Sequence, residues 1–143
     1  MTYQGNNRTP FRSEGEPQVA RLLERSGIAY RYEPPVAVVD AGKVRIWYPD
    51  FQLPQYGLLI EYCGRCGDPA YASGIRKKEA VYRANGLATL FLTPESFRGD
   101  WPSRTLEQIE AILVERLTSF RTVRGRAAPI RRGNSRPNAV HVP

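Results

Sequence analysis

Residues 47–63 read WYPDFQLPQYGLLIEYC, and the order of residue types along this stretch sets both the fold and the candidate chemistry. Its second half, LLIEYC at 58–63, is a short, largely apolar run of the kind that fills a buried central strand. Its first half closes a preceding strand, VRIWYPDF at 44–51, with QLPQYG as the turn between them. Working toward the N-terminus, Asp40-Ala41-Gly42-Lys43 has hairpin chemistry, so residues 29–40 (AYRYEPPVAVVD) form the strand before it. Pro34 and Pro35 mark an edge or a bulge in that strand. Working toward the C-terminus, a helical segment at roughly 70–85 ends at Asn85-Gly86, and a second apolar run, LATLFL, fills 87–92. Strand, helix, strand in that order makes the two apolar strands parallel neighbours through a right-handed crossover.

Two further helices complete the pattern. The first begins near Glu16 or Pro17 and runs to about Ser26, with Val19, Ala20, Leu22 and Leu23 as its apolar stripe and Gly27 as its stop. The last, at 104–120, sets Leu106, Ile109, Ile112, Leu113 and Leu117 on one face. The expected class is α/β (α+β): a mixed β-sheet flanked by helices around one core, in the order α-β-β-β-α-β-α.

The chain has 143 residues, enough for one domain and not for two full cores. At 41% hydrophobic and 24% charged its composition is that of a soluble globular protein, and no apolar stretch approaches the ~20 residues needed to span a bilayer. The opening MTYQGNNRTPFR lacks the apolar centre of a secretory signal, and two cysteines cannot make a disulfide framework, so a reducing cytoplasm is expected. The net charge of +7 is unevenly spread. Residues 121–143 hold six Arg and no acid, which leaves 15 basic and 14 acidic residues before them. Three units follow: a polar arm at 1–12, a nearly neutral folded body at 13–120, and a basic tail at 121–143 rich in Pro, Gly, Ser and Asn that is expected to stay disordered.

Acidic side chains are rarely buried without a partner. Asp50 nevertheless ends a strand among large apolar residues, and Glu61 sits in the middle of the most apolar strand, on the face shared with Leu59 and Cys63. Two carboxylates brought together on adjacent strands repel unless a cation joins them, and Mg²⁺ is a hard ion that takes carboxylates, waters and phosphate oxygens. Asp50 as a turn cap and Glu61 as half of a buried ion pair with an Arg are the plain alternatives. On the helix that follows, Tyr71, Ile75, Lys78 and Tyr82 fall on one stripe, which must face the sheet, whereas Lys77 is rotated away. An inward Lys78 needs an anion, and these carboxylates are the nearest; otherwise its stem lies on the sheet with its head in water.

Taken together, PD at 49–50 followed by GLLIEYC resembles the motif of the PD-(D/E)XK nuclease superfamily. The wider strings SEGEPQVARLLERSGIAYRYEPPV, WYPDFQLPQYGLLIEYCG and YASGIRKKEAVYRANGLATLFLTPESF look like the small restriction-endonuclease-like domains of the very-short-patch-repair and Holliday-junction-resolvase type. The likeness covers about residues 13–97. It departs at the triplet, where Cys63 stands in place of the motif lysine. A variant of the family looks to carry that lysine on the following helix, and Tyr71, Lys78 and Tyr82 fit it. The resemblance also implies a glutamate at the start of the first helix. Glu16 takes that place, with a capping box from Ser13 as the structural alternative and Glu14 as the fallback. Glu33 is expected to face solvent or pair with an Arg.

What the resemblance implies is a metal-dependent DNA endonuclease active on structured or branched DNA in repair, recombination or mobile-element biology. Asp50, Glu61, the Tyr62 backbone carbonyl and Glu16 would hold one or two Mg²⁺, with Mn²⁺ able to substitute, and Lys78 would act beside them. Arg76, Lys77 and the tail residues Arg121, Arg124, Arg126, Arg131 and Arg132 would grip the DNA backbone. Resolving a junction needs two active sites, hence a homodimer, and could take place within a larger DNA-processing complex. Two competing readings stay open: a catalytically inactive DNA-binding module that keeps the fold, and an RNA-binding or assembly protein that works through its basic tail. Cys63-Gly64-Arg65-Cys66 is a lone CxxC without the four ligands of structural zinc, so Cys63 reads as a small buried residue beside the site.

Overall fold

The structure, a computed structural model, describes the backbone of residues 11–125 and the side chains of residues 11–120. Along the chain run α1 (Glu16–Arg25), β1 (Arg31–Tyr32), β2 (Val36–Asp40), β3 (Lys43–Trp47), β4 (Phe51–Leu53), β5 (Leu58–Tyr62), α2 (Pro69–Ala84), β6 (Ala88–Leu92), a 3-10 turn (Pro94–Phe97) and α3 (Trp101–Gly125). The class is mixed α+β. Four strands form one sheet in the order β1-β4-β5-β6, while β2 and β3 form a separate two-stranded ribbon. Within the sheet β4 runs antiparallel to β5 and β5 parallel to β6, so the crossover expected between 58–63 and 87–92 is present, with α2 as its helix.

Two of the expected strands are each split. Residues 29–40 divide into β1 and β2 around Glu33-Pro34-Pro35, and residues 44–51 divide into β3 and β4 around Tyr48-Pro49-Asp50. The expected order α-β-β-β-α-β-α is kept, with its first two strands each divided in two. Proline has no N–H to give a ladder, and its φ is fixed, so pairing stops where it occurs. Because Val36 pairs with Trp47, both breaks fall at the same level, and the ribbon separates cleanly from the sheet. Its turn holds Ala41 at φ 50° and Gly42 at φ 75°, the left-handed pair that a tight two-residue hairpin requires. Asn85, the last-turn cap of α2, clips the ribbon from outside: its side-chain oxygen accepts from Val39 N–H at 2.8 Å and its amide nitrogen donates to the Val39 carbonyl at 3.0 Å.

The main core lies on one face of the sheet, where Val19, Ala20 and Leu23 of α1 and Ile109 of α3 meet Phe51, Leu53, Leu58, Ile60, Leu90 and Leu92. Phe11, expected in a polar arm, packs edge-on against Tyr32 with ring centroids 5.0 Å apart and joins this core. The opposite face carries a small cluster of Val38, Leu59 and Tyr82 under α2. The last helix starts at Trp101, before the expected 104, and its backbone continues to Gly125, into the stretch expected as tail. Leu117, expected on the buried face, is 55% exposed. A helix of 25 residues is about 37 Å long, whereas a five-residue strand covers about 17 Å, so the sheet cannot cover all of it. Among the described residues no helix is long and apolar enough to cross a membrane.

Candidate active site

Asp50 sits just outside β4, where the proline has stopped the backbone ladder. Phe51 pairs with Ile60, so one further step along the same register sets Asp50 across from Glu61. The Asp50 carboxylate takes over where the ladder ends: its Oδ2 accepts the N–H of Tyr62, the last residue of β5, at 2.6 Å. Burial pushes the Asp50 carboxyl up to about 7. The Tyr62 N–H opposes this rise, the neighbouring Glu61 and Glu16 carboxylates add to it, and Lys78 partly offsets it.

Glu61 is only 4% exposed, on the α2 face of β5. The expected stripe of α2 is present: Tyr82 is buried, Tyr71, Ile75 and Lys78 are half-buried, and Lys77 is exposed. Lys78 Nζ lies 2.7 Å from Glu61 Oε1, and Tyr82 OH donates to the same oxygen at 2.9 Å. The buried carboxylate is thus held by a lysine and a phenol from consecutive turns of one helix, with no arginine involved. Burial and the adjacent Glu61 raise the Tyr82 hydroxyl far above its ordinary value, so it stays protonated and acts as a donor. Among the described residues no group donates to Glu61 Oε2 or to Asp50 Oδ1.

Glu16 opens α1 and is also buried. Half of the capping-box alternative is present, since Ser13 Oγ accepts the Glu16 N–H at 3.4 Å. The other half is not, because Gly15 is the cap residue and Glu16 Oε2 accepts from Arg12 N–H at 2.9 Å and from Tyr32 OH at 2.6 Å. Gly15 lets the helix come this close, because a Cβ there would stand 2.4 Å from the Tyr62 ring. Glu14, the fallback, is exposed. Glu33 pairs with Arg12 at 3.1 Å, as its surroundings suggested.

Glu16 and Asp50 share one cleft of about 640 Å³ with Tyr62, Tyr48, Arg12 and Arg65 among others. Lys78 lines a neighbouring cleft, and Glu61 lies buried beneath, lining neither. Set against protein-family models, curated proteins and solved structures, the chain matches none.

The donor set is one of hard oxygens. Cys63 is fully buried and its thiol is pushed up to about 12, chiefly by burial and then by Cys66, so it offers no thiolate. No three His, Cys, Asp or Glu side chains among the described residues are grouped closely enough to hold an ion between them. Asp50 and Glu61 nevertheless suit Mg²⁺, which keeps several waters and needs only one or two carboxylates from a protein. A cation there would offset the burial and repulsion that raise the Asp50 carboxyl, by favouring its charged form. Glu16, with one oxygen already engaged by Arg12 and Tyr32, is placed to act on Asp50 through its charge.

Of the residues expected to grip DNA, Arg76 is exposed on α2 and lines neither the carboxylate cleft nor its neighbour. Lys77 does line the neighbouring cleft, of about 480 Å³, together with Lys78, Gly74, Ile46, Trp47 and Tyr48. Arg121 and Arg124 fall on the helical backbone at the end of α3, with side chains outside the described residues, as are Arg126, Arg131 and Arg132 altogether. Sequence reasoning missed Arg12 and Arg65, which rim the carboxylate cleft. Arg65 lies 5.8 Å over the Tyr71 ring and pairs with Asp68 at 3.3 Å. Its place inside the CxxC loop, directly after the β5 acid, was the available signal.

Proposed function

We propose that this chain is a metal-dependent endonuclease that hydrolyses DNA phosphodiester bonds. The observation that carries the proposal is the junction of Lys78 and Glu61 at 2.7 Å, on the strand beside Asp50. Lysine supplied from the helix makes good the absence of one after Glu61, where Cys63 stands, and matches the variant arrangement of the PD-(D/E)XK superfamily. Asp50 and Glu61 would hold Mg²⁺, with Glu16 and the Tyr62 carbonyl as further oxygens at the same cleft. When bound, the ion polarises the scissile phosphate and activates water. The chain's own groups do the rest. Lys78 keeps a fixed positive charge beside the reacting phosphate and stabilises the charge that develops there. Tyr82 holds Glu61 in one rotamer by donating to Oε1. Arg12 and Arg65 on the rim engage flanking phosphates, which orients the strand without reading its sequence.

The test is cleavage of linear, nicked, flapped and four-way DNA with Mg²⁺ or Mn²⁺. Asp50→Ala is expected to lower the rate by about 10³-fold and Lys78→Ala by about 10²-fold, the scale of losing one preorganised electrostatic partner. Lys77→Ala, which removes a flanking phosphate contact and not the charge beside Glu61, should lose less activity than Lys78→Ala. Cleavage that survives Asp50→Ala, or wild-type protein that cuts none of these DNAs with either metal, rules the activity out.

A further inference from the structure

Along Trp47-Tyr48-Pro49-Asp50, which links β3 to β4, successive side chains differ in burial. Trp47 turns inward and meets Tyr82 edge-on, with ring centroids 5.3 Å apart. Pro49 is fully buried, and Asp50 reaches into the carboxylate cleft. Tyr48, by contrast, is 60% exposed. It stacks on no other ring among the described residues. Tyr48 lines both the carboxylate cleft and the neighbouring cleft that holds Lys77 and Lys78, so its ring forms the ridge between them. Ile46 and Val44, two and four residues back on the same side of β3, extend the ridge as an exposed apolar strip.

An exposed aromatic ring between a candidate phosphate-cleaving cleft and a lysine pair has an evident partner. A flat apolar face with cations on both flanks, Arg12 and Arg65 on one side and Lys77 on the other, suits a nucleobase whose phosphates lie to either side. An apolar protein surface covering Tyr48 would strip water from those same cations without supplying an anion in return. A nucleotide supplies the anion. A base in an intact duplex, however, has its faces stacked on its neighbours and offers only its edges.

We infer that Tyr48 is a base platform beside the cleavage position, and that the substrate is DNA with an unpaired nucleotide there: a single strand, flap or bulge. This rests on the nuclease activity proposed above and narrows its substrate. Tyr48 binds and positions the strand and takes no part in bond breaking.

The experiment uses the full chain and a fluorescein-labelled 20-nucleotide strand, single or annealed, in Ca²⁺ to hold binding apart from hydrolysis. A second strand carries 2-aminopurine, whose emission falls when it stacks. Wild type should bind the single strand more tightly than the duplex and quench 2-aminopurine. Tyr48→Ala should weaken single-strand binding about tenfold, the scale of one lost stacking contact, abolish the quench, and leave duplex binding within twofold. Tyr48→Phe should retain both affinity and quench, since the ring and not the hydroxyl is used. If Tyr48→Ala binds and quenches like wild type while wild type still cuts DNA, the platform is wrong and the nuclease stands. Failure of the wild type to bind or cut any form overturns both.

Discussion

Beneath α1 and α3 the sheet buries a single cluster of twelve apolar side chains, among them Phe51, Leu53, Ile60 and Leu92. Beneath α2 the opposite face buries three, Val38, Leu59 and Tyr82, and one of these uses its hydroxyl on Glu61. The same strand, β5, serves both faces: Leu58 and Ile60 point into the large cluster, Leu59 and Glu61 toward α2. The first face holds the molecule together through area. The second tolerates charge because its buried carboxylate, Glu61, is held by Lys78 and Tyr82, although the Thr89 hydroxyl on the same face has no partner among the described residues.

That contrast can be broken by substitution. Phe51→Ala, at the centre of the large cluster and in ring contact with Tyr30 and Tyr32, should cost about 3–5 kcal/mol in urea unfolding. Tyr82→Phe keeps the ring against Trp47 but removes one of the two donors to Glu61, and should cost about 2 kcal/mol. Equal costs would mean that the α2 face is an ordinary core.

The remaining effect is a slope. Asp50 titrates near 7 in the folded chain and near about 4 unfolded, so between those values the folded state binds the extra proton. Stability of the metal-free protein should therefore fall as pH rises from about 4 to about 7. Melting temperatures across that range should show the fall in EDTA, lose its Asp50 component in Asp50→Asn, and recover at neutral pH with Mg²⁺. A slope that survives Asp50→Asn unchanged would place its origin elsewhere.

Much of this was legible in the residues. The apolar runs at 58–63 and 87–92 read as buried strands, and the helical stripe through Ile75 and Tyr82 turned Lys78 toward the sheet, with a snorkelling head group as its alternative. What escaped was set by distance. Pro34, Pro35 and Pro49 were visible as interruptions, but their coincidence at one level of the ribbon depends on the Val36–Trp47 pairing. Leu117 satisfied the helical period of α3, yet period alone does not say how far a sheet extends beneath a helix. Arg12 and Arg65 belong to the cleft because the segment before α1 and the loop after β5, far apart in sequence, converge on it. No local pattern marks such a meeting.

Asn85 has a consequence for assembly. A free strand edge offers N–H and C=O groups that invite another chain to add on, and proteins usually guard such edges with charge or curvature. At Val39 the side-chain amide of Asn85 presents one donor and one acceptor, as a neighbouring strand would, while its nitrogen also remains tied to Val81 of α2 at 2.8 Å. The outer edge of β2 thus already has its neighbour at that residue, in the form of a single side chain. A chain adding to this ribbon as an extra strand would meet less resistance along β3.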